Sequence, residues 1–462
     1  MQGYGAHKLN NPGLFGRHSD KIFFAIVCII IIVSLYDTLL IKLYRFIYGQ
    51  VFSQSQIVES TKNNILVFTI LATVFGIGQY FILRYLHYKS SEINATERSH
   101  VNRTRNLVLV AQYVILALII SIILQMVILS SYSVITLFLI VGISYGLAIT
   151  ILTILAQQFF SWFKSNRNKV VLSYGLASAM LSVNAAFTLL YVGDLFTNQP
   201  SYIGPHILHL SMSPSVNSIL YYGYQISSII SFMATWIATA LLLRHYSKRL
   251  GTTVYWIILT IPLIYFLGQF QPFWLSVFEP YRESEPVFFG IVYTMVFYLS
   301  KPIGGILFGI AFWSVAKNLG HNKVREYMII SAYGFVLLFT SNQAIVLVNF
   351  DYPPFGLITI SLMGISSYLL LVGIYSAAVS IAQDMQLRQI VRKVALQESK
   401  LLDSIGSAQV EREIFTKVLS ATKKAKDSLE SDTGLESSLE ENDVMDYLNR
   451  VIEEVKKEKD KR

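Results

Sequence analysis

Charge is scarce in this chain. Of 462 residues only 14% are Asp, Glu, Lys or Arg, while 53% are apolar and the mean hydropathy is +0.51. A water-soluble protein of this size carries charge at about a quarter of its positions, so an ordinary soluble domain is excluded. Cysteine is scarcer still: Cys28 is the only one, and no intrachain disulfide can form. Catalytic signatures are missing as well. There is no P-loop, H-E-x-x-H, dinucleotide fingerprint or kinase motif, and no histidine falls inside an apolar run to serve as a base. Neither an enzymatic activity nor a cofactor is expected.

What abounds is uninterrupted apolar sequence. Runs of about 20 residues with few or no charges recur, each long enough to cross a bilayer as a helix. Ten spans are predicted, at 22–47, 65–87, 107–130, 132–163, 169–194, 217–244, 252–276, 286–314, 326–349 and 355–383. The runs are continuous and do not alternate, which excludes a β-barrel. The expected fold is all-α: a polytopic transmembrane helical bundle over 22–383, preceded by a polar flank at 1–21 and followed by a cytoplasmic helical tail. The first span is too long for a signal peptide and has no cleavage site after it.

The loops set an orientation. One face of the membrane receives twenty basic residues, among them Arg84, Lys89, Arg98, Arg103 and Arg105 between spans two and three, and Arg244, Lys248 and Arg249 between six and seven. The other face receives four: Lys42, Arg45, Lys62 and Arg282. Basic loops stay inside, so both termini are expected in the cytoplasm of a cell-membrane protein. This bias accounts for most of the +9 net charge, which points to anionic lipid surfaces as partner and not to nucleic acid.

Two ionisable residues lie deep inside predicted spans, Asp37 and Lys301. A lone charge at the bilayer centre costs about 3 kcal/mol or more and normally finds a partner inside the bundle, so this acid and this base are expected to pair. Lys301 opens the stretch Lys301-Pro302-Ile303-Gly304-Gly305, and Gly309 completes a G-x-x-x-G with Gly305. Proline frees a carbonyl one turn earlier, and paired glycines let another helix approach closely. Gly142 and Gly146 form a second G-x-x-x-G. That stretch, GISYG, also matches a nucleophile pattern around Ser144, but it lies within a helix and lacks the strand–turn–helix setting the pattern requires. His206, His209 and Met212 on an outer loop have a spacing open to copper or zinc, although an aromatic-belt loop accounts for them as well. No internal repeat is evident, and only span eight shows a strong Pro/Gly interruption.

Beyond residue 384 the pattern turns amphipathic. Leu387, Val391, Val394, Leu401 and Ile405 form one helical stripe. Because no proline or glycine separates Gly373 from Gly406, span ten is expected to run unbroken into a juxtamembrane helix over 384–425, with Gly406 as a hinge. Its stripe would bury against a second copy or a cytoplasmic protein partner. An acidic disordered linker is expected at 426–442, and a last amphipathic helix at 443–462.

The runs SAYGFVLLFTSNQ (331–343), YPPFG (352–356), SSYLLLVGIYSAAVSIAQDMQLRQIVRK (366–393) and LLDSIGSAQVEREI (401–414) resemble uncharacterised multipass membrane proteins of ammonia-oxidising archaea. The likeness covers the last third of the chain. It implies an archaeal cell membrane and a juxtamembrane relay helix, and brings no activity with it. Three functions stay open at this point: a sensor relaying a signal through the tail, a carrier built on the Lys301–Asp37 pair, and a subunit of a membrane complex.

Overall fold

The computed structural model describes residues 19–51, 54–91, 98–197, 200–204, 218–270, 276–319, 322–343, 352–397 and 400–433, with isolated positions from 444 to 451. The fold is an all-α bundle. Helices α1 (Ser19–Val51), α2 (Gln54–Ser91), α3 (Arg98–Leu129), α4 (Val134–Ser165), α5 (Lys169–Thr197) and α6 (Ser218–Leu243) follow the first six apolar runs. They are succeeded by α7 (Thr252–Gly268), α8 (Pro286–Tyr298), α9 (Ser300–Lys317) and α10 (Lys323–Ser341). The chain then forms α11 (Leu357–Ser361), α12 (Met363–Gln383), α13 (Met385–Gln397) and α14 (Lys400–Thr433). A ribbon of two residues on each side pairs Tyr132 with Ile203 and Ser133 with Tyr202, antiparallel, tying the α3–α4 turn to the segment after α5.

Seven helical stretches are long and apolar enough to cross a membrane: Lys21–Thr38, Lys62–Lys89, Thr104–Leu129, Val134–Ser165, Lys169–Phe196, Ile219–Leu250 and Leu357–Gln383. The last is unlike the rest. Its most apolar stretch is 100% buried, against 28–50% for the other six. It is the axis of the bundle, packed by α10, α4, α14, α13, α3 and α2. Small residues make this central position possible, since helices without a hydrophobic drive between them gain chiefly from close packing. Gly373 lies against Ser331 and Tyr327 of α10, and a Cβ on Gly334 would stand 2.9 Å from Leu370. A Cβ on Gly364 would stand 2.6 Å from Leu147 of α4.

Two predicted spans are broken helices. Between α8 and α9 the chain kinks at Leu299 (φ −88°, ψ −13°), and between α11 and α12 it kinks at Leu362 (φ −77°, ψ −11°). Pro302 explains the first, because it cannot donate to Tyr298 one turn back. The freed Tyr298 carbonyl accepts from Gln343 Nε2 at 2.8 Å. The second shows as a tightened bond from Leu362 N to Thr359 O, 3.2 Å. Predicted span nine is also shorter than its apolar run: α10 stops at Ser341, where the polar sequence Thr340-Ser341-Asn342-Gln343 begins.

The tail departs most from expectation. The central helix does not continue past Gln383. Asp384 turns extended (φ −112°, ψ 114°), and its Oδ1 accepts from Gln386 N at 2.8 Å and Leu387 N at 3.2 Å, an N-cap for α13. Arg388 reaches back and donates to Ala382 O at 2.6 Å, placing a cation on the last carbonyls of α12. α14 then folds beneath the bundle against α12, α4 and α5. The stripe is therefore covered by the chain's own helices: Leu401, Ile405 and Val391 are each 1% exposed, and Leu387 packs partly on the same core. That burial leaves Val391, Leu401 and Ile405 engaged within the chain and not open to a seam between two copies. The Val394 side chain lies outside the described residues. Gly406 is no hinge, because α14 passes straight through it. A side chain there would collide with Ile381 of α12, so glycine serves close approach. The predicted acidic linker is helical as far as Thr433, since no glycine or proline intervenes before Gly434.

Candidate functional site

The two buried charges do not pair. Each meets a helix end instead, and each has the sign that end favours. Asp37 on α1 is fully buried, and its Oδ2 accepts from Thr359 N at 3.0 Å. Thr359 Oγ1 lies 2.9 Å from both Asp37 Oδ2 and Ser34 O, so its one proton serves the two acceptors in turn. Thr359 is the third residue of α11, one of the amides an N-terminus leaves without a helical partner. The residue before α11 is Gly356, left-handed at φ +86°, which has no side chain with which to cap it. Asp37 supplies the missing cap from another helix.

Lys301 stands at the first turn of α9, is 7% exposed, and donates from Nζ to Asn342 O at 3.1 Å. Asn342 ends α10, so the ammonium sits at a helix C-terminus. Its other neighbour is the Tyr224 ring, with Nζ 5.4 Å from the centroid. Each charge stands about 24 Å along its helix from a basic end, Lys21 for Asp37 and Lys317 for Lys301, at about 1.5 Å per residue. The physical reason for the missing pair is that each charge finds a fixed dipole end closer at hand than the other charge.

Around Lys301 the buried polar groups form one chain. Asn342 Nδ2 donates to Asn184 Oδ1 at 3.0 Å, and Tyr145 OH donates to Asn342 Oδ1 at 3.4 Å. Asn184 Nδ2 in turn donates to Ser227 Oγ at 3.1 Å. Helices α4, α5, α6, α9 and α10 all contribute. The Tyr224 ring that faces the ammonium stacks on Tyr191, with centroids 5.6 Å apart and planes at 13°. The asparagine amides are satisfied, but the lysine is not: a protonated amine has three donors, and Lys301 has one carbonyl acceptor and no carboxylate among the described residues. Two neighbours share this condition. Gln269 accepts from Ser300 Oγ at 3.3 Å while its own Nε2 has no partner among the described residues. Gln343 gives Nε2 to Tyr298 O while its Oε1 has none.

The glycines divide. Gly304 admits the Phe232 ring of α6, and Cβ atoms built on Gly305 and Gly309 would stand 2.7 Å from Phe339 Cβ and 2.6 Å from Val336 Cγ2. Lys301 is thus held on a helix pressed against α6 and α10. Gly142 and Gly146 have nothing within 4 Å of a built Cβ, so the second G-x-x-x-G makes no close approach. They lie on the half-buried side of α4, opposite Ser144, whose Oγ donates to Ile360 O at 2.7 Å. Ser144 is thereby a structural hydroxyl gripping the α11–α12 kink. His206, His209 and Met212 lie outside the described residues. At the opposite end of the bundle Lys89 Nζ meets Glu326 Oε2 at 2.6 Å, tying α2 to α10.

Asn184, Asn342, Gln269 and Gln343 are uncharged and belong to no motif, so charge and motif searches pass over them. An amide in an apolar run is itself a signal, since a buried amide must find partners. Asp384 was likewise readable as an N-cap with its caps at the second and third following residues. No protein-family model, curated protein or solved structure matches this chain.

Proposed function

We propose that this chain is a carrier that binds an oxyanionic solute, a carboxylate or a similar group, beside Lys301. The observation that carries the reading is the charge balance there: a buried ammonium with one carbonyl, one ring face and no acid among the described residues. A buried charge is costly unless paired, so a solute that brings the negative charge is bound with the protein's own electrostatic deficit as driving force. Gln269 Nε2 adds a second donor near the same helix start. The broken helices favour transport. Carriers commonly build midplane sites from discontinuous helices, and here two such breaks, at Leu299 and Leu362, share nearly the same backbone angles.

In this reading the remaining apolar segments, α7, α8 with α9, and α10, complete about ten crossings. The basic loops face the cytoplasm with both termini, and the tail lies on the inner face. The likeness of the last third to membrane proteins of ammonia-oxidising archaea supports an archaeal cell membrane as its seat.

A second reading is favoured by one observation. α14 is packed on the central helix at Gly406 and Ile381 and is tied to the α4–α5 end through Asn168 Nδ2 to Ser404 Oγ at 2.6 Å and Trp162 Nε1 to Gln409 Oε1 at 3.2 Å. A sensor would use this contact to pass a shift of α12 to the exposed half of α14. The two are separated in proteoliposomes. A carrier exchanges a labelled carboxylate across the membrane and loses exchange in Lys301→Met. A sensor shows carboxylate-dependent protection of 400–433 from hydrogen exchange with no flux. If neither flux nor protection responds to any oxyanion, both readings fail and a subunit role takes their place.

A further inference from the structure

A second binding site lies on the lipid-facing side of the α6–α7 hairpin, away from Lys301. α6 closes with a tight turn at Arg244–Tyr246, and the chain reverses at Gly251 (φ +84°) to enter α7. Between the two helices runs a groove of about 460 Å³, within the size range of small-molecule sites. Its long walls are the indoles of Trp236 and Trp256, whose ring centroids are 6.3 Å apart. One wall is fixed from behind, where Trp236 Nε1 donates to Leu259 O at 2.8 Å. Beside the other wall Tyr255 OH donates to Ala240 O at 2.6 Å, tying the start of α7 to α6. The polar atom of Trp236 is thus spent on the protein, and its apolar ring face is left toward the groove.

The mouth of the groove has the opposite character. Arg244, Ser247 and Thr252 line it, and Lys248 and Arg249 follow on the exposed turn. The whole stretch from Trp236 to Trp256 holds no acidic residue. Arg244 makes no ion pair or side-chain hydrogen bond among the described residues, so its forked donors are available. From Trp236 to Arg244 the helix rises about 12 Å, enough to lay a stretch of hydrocarbon along the indoles with its polar end at the guanidinium.

We infer that this groove binds one anionic phospholipid, with its phosphate on Arg244 and one acyl chain laid along the indoles of Trp236 and Trp256. Guanidinium matches phosphate geometry through two parallel bonds, and basic pockets between helices on the inner face select acidic head groups. The surplus of positive charge from Lys248 and Arg249 disfavours a zwitterionic head group, whose own cation they repel.

The test uses the full chain in phosphatidylcholine nanodiscs, with Trp274 and Trp313 replaced by Phe. Trp162 is fully buried and stays as an internal reference. Brominated phosphatidylglycerol at low mole fraction is expected to quench the groove indoles with about tenfold greater apparent affinity than brominated phosphatidylcholine, the effect of one charge-assisted contact. Arg244→Gln should remove that preference while Trp162 emission stays unchanged. Thr252→Phe, which fills the exposed mouth and leaves Arg244 in place, should reduce quenching by both lipids. Equal quenching by the two lipids in the parent, or a preference that survives Arg244→Gln, overturns the inference.

Discussion

Replacement of Lys301 by methionine distinguishes a lysine that holds the fold from one that holds a ligand, because the two roles predict opposite signs. The side chains have similar length, so little cavity forms. On the debit side, Asn342 O loses its donor, a loss of about 1–3 kcal/mol for a buried acceptor. The contact with the Tyr224 ring contributes about 0.5–2 kcal/mol more. Against this stands relief from burying a charge that one carbonyl and one ring do not compensate, a penalty of several kcal/mol per ion in real proteins. Replacing buried ions by apolar residues of like volume is often neutral or stabilising by about 1–4 kcal/mol. The expected outcome is a variant at least as stable as the parent without ligand, with its melting temperature level or higher. The same variant should lose any oxyanion-dependent rise in melting temperature. Thermal unfolding of purified protein, followed by circular dichroism with and without a carboxylate series, reads both quantities. Destabilisation of about 3 kcal/mol or more, with the carboxylate response intact, would refute the reasoning and make Lys301 a structural cap for α10.

Asp37 should behave oppositely. Two bonds from Thr359 hold its Oδ2 at a helix N-terminus, so Asp37→Ala is expected to destabilise by about 2–4 kcal/mol and Asp37→Asn by less than half of that, measured by the same unfolding. Gly406→Val forces a side chain into Ile381 and is expected to cost about 1–3 kcal/mol; faster hydrogen exchange confined to 400–433 would show α14 leaving the base of the bundle, and unchanged exchange would show that the contact yields. For threading, single cysteines placed in a Cys28-free chain should be shielded from outside reagents at 88–104 and labelled at 199–213. The reverse pattern would invert the proposed orientation.

How far these features can be read from sequence depends on what interrupts an apolar run. The helices α1 to α6 follow their hydrophobic stretches because basic and polar loops separate them. The kink at Leu299 is announced by Pro302, whose missing donor leaves a carbonyl that another side chain must take. The kink at Leu362 is silent: Ile360, Leu362 and Ile365 are as apolar as their neighbours, and the break becomes necessary only when Asp37 and Ser144 grip Thr359 and Ile360 from other helices. Such tertiary bonds leave no local periodicity. The tail misled for a related reason. Amphipathicity shows that Leu401 and Ile405 must be buried, but not against what. The short turn capped by Asp384 directs the stripe onto the chain's own helices.

The fate of the two buried charges bears on function as much as on fold. Had Asp37 and Lys301 paired, the pair would have been self-sufficient, and a ligand would have had to break it. Separated, they differ in their remaining capacity. Asp37 has both an amide and a hydroxyl on Oδ2, which hold α11 to α1, while its Oδ1 has no hydrogen-bond partner among the described residues. Lys301 has a single carbonyl from Asn342, whose side chain is fully engaged by Asn184 and Tyr145. The network thus fixes the position of the lysine's one acceptor without neutralising the lysine. Both broken helices converge on this division: the α11–α12 break is clamped by Asp37 and Ser144, while the α8–α9 break leads directly into the uncompensated cation. In the carrier reading, the α11–α12 break is the fixed element and the α8–α9 break the responsive one. A ligand that neutralises Lys301 acts at the start of α9, which Gly305 and Gly309 press against α10, and α10 packs along the central helix that carries the tail.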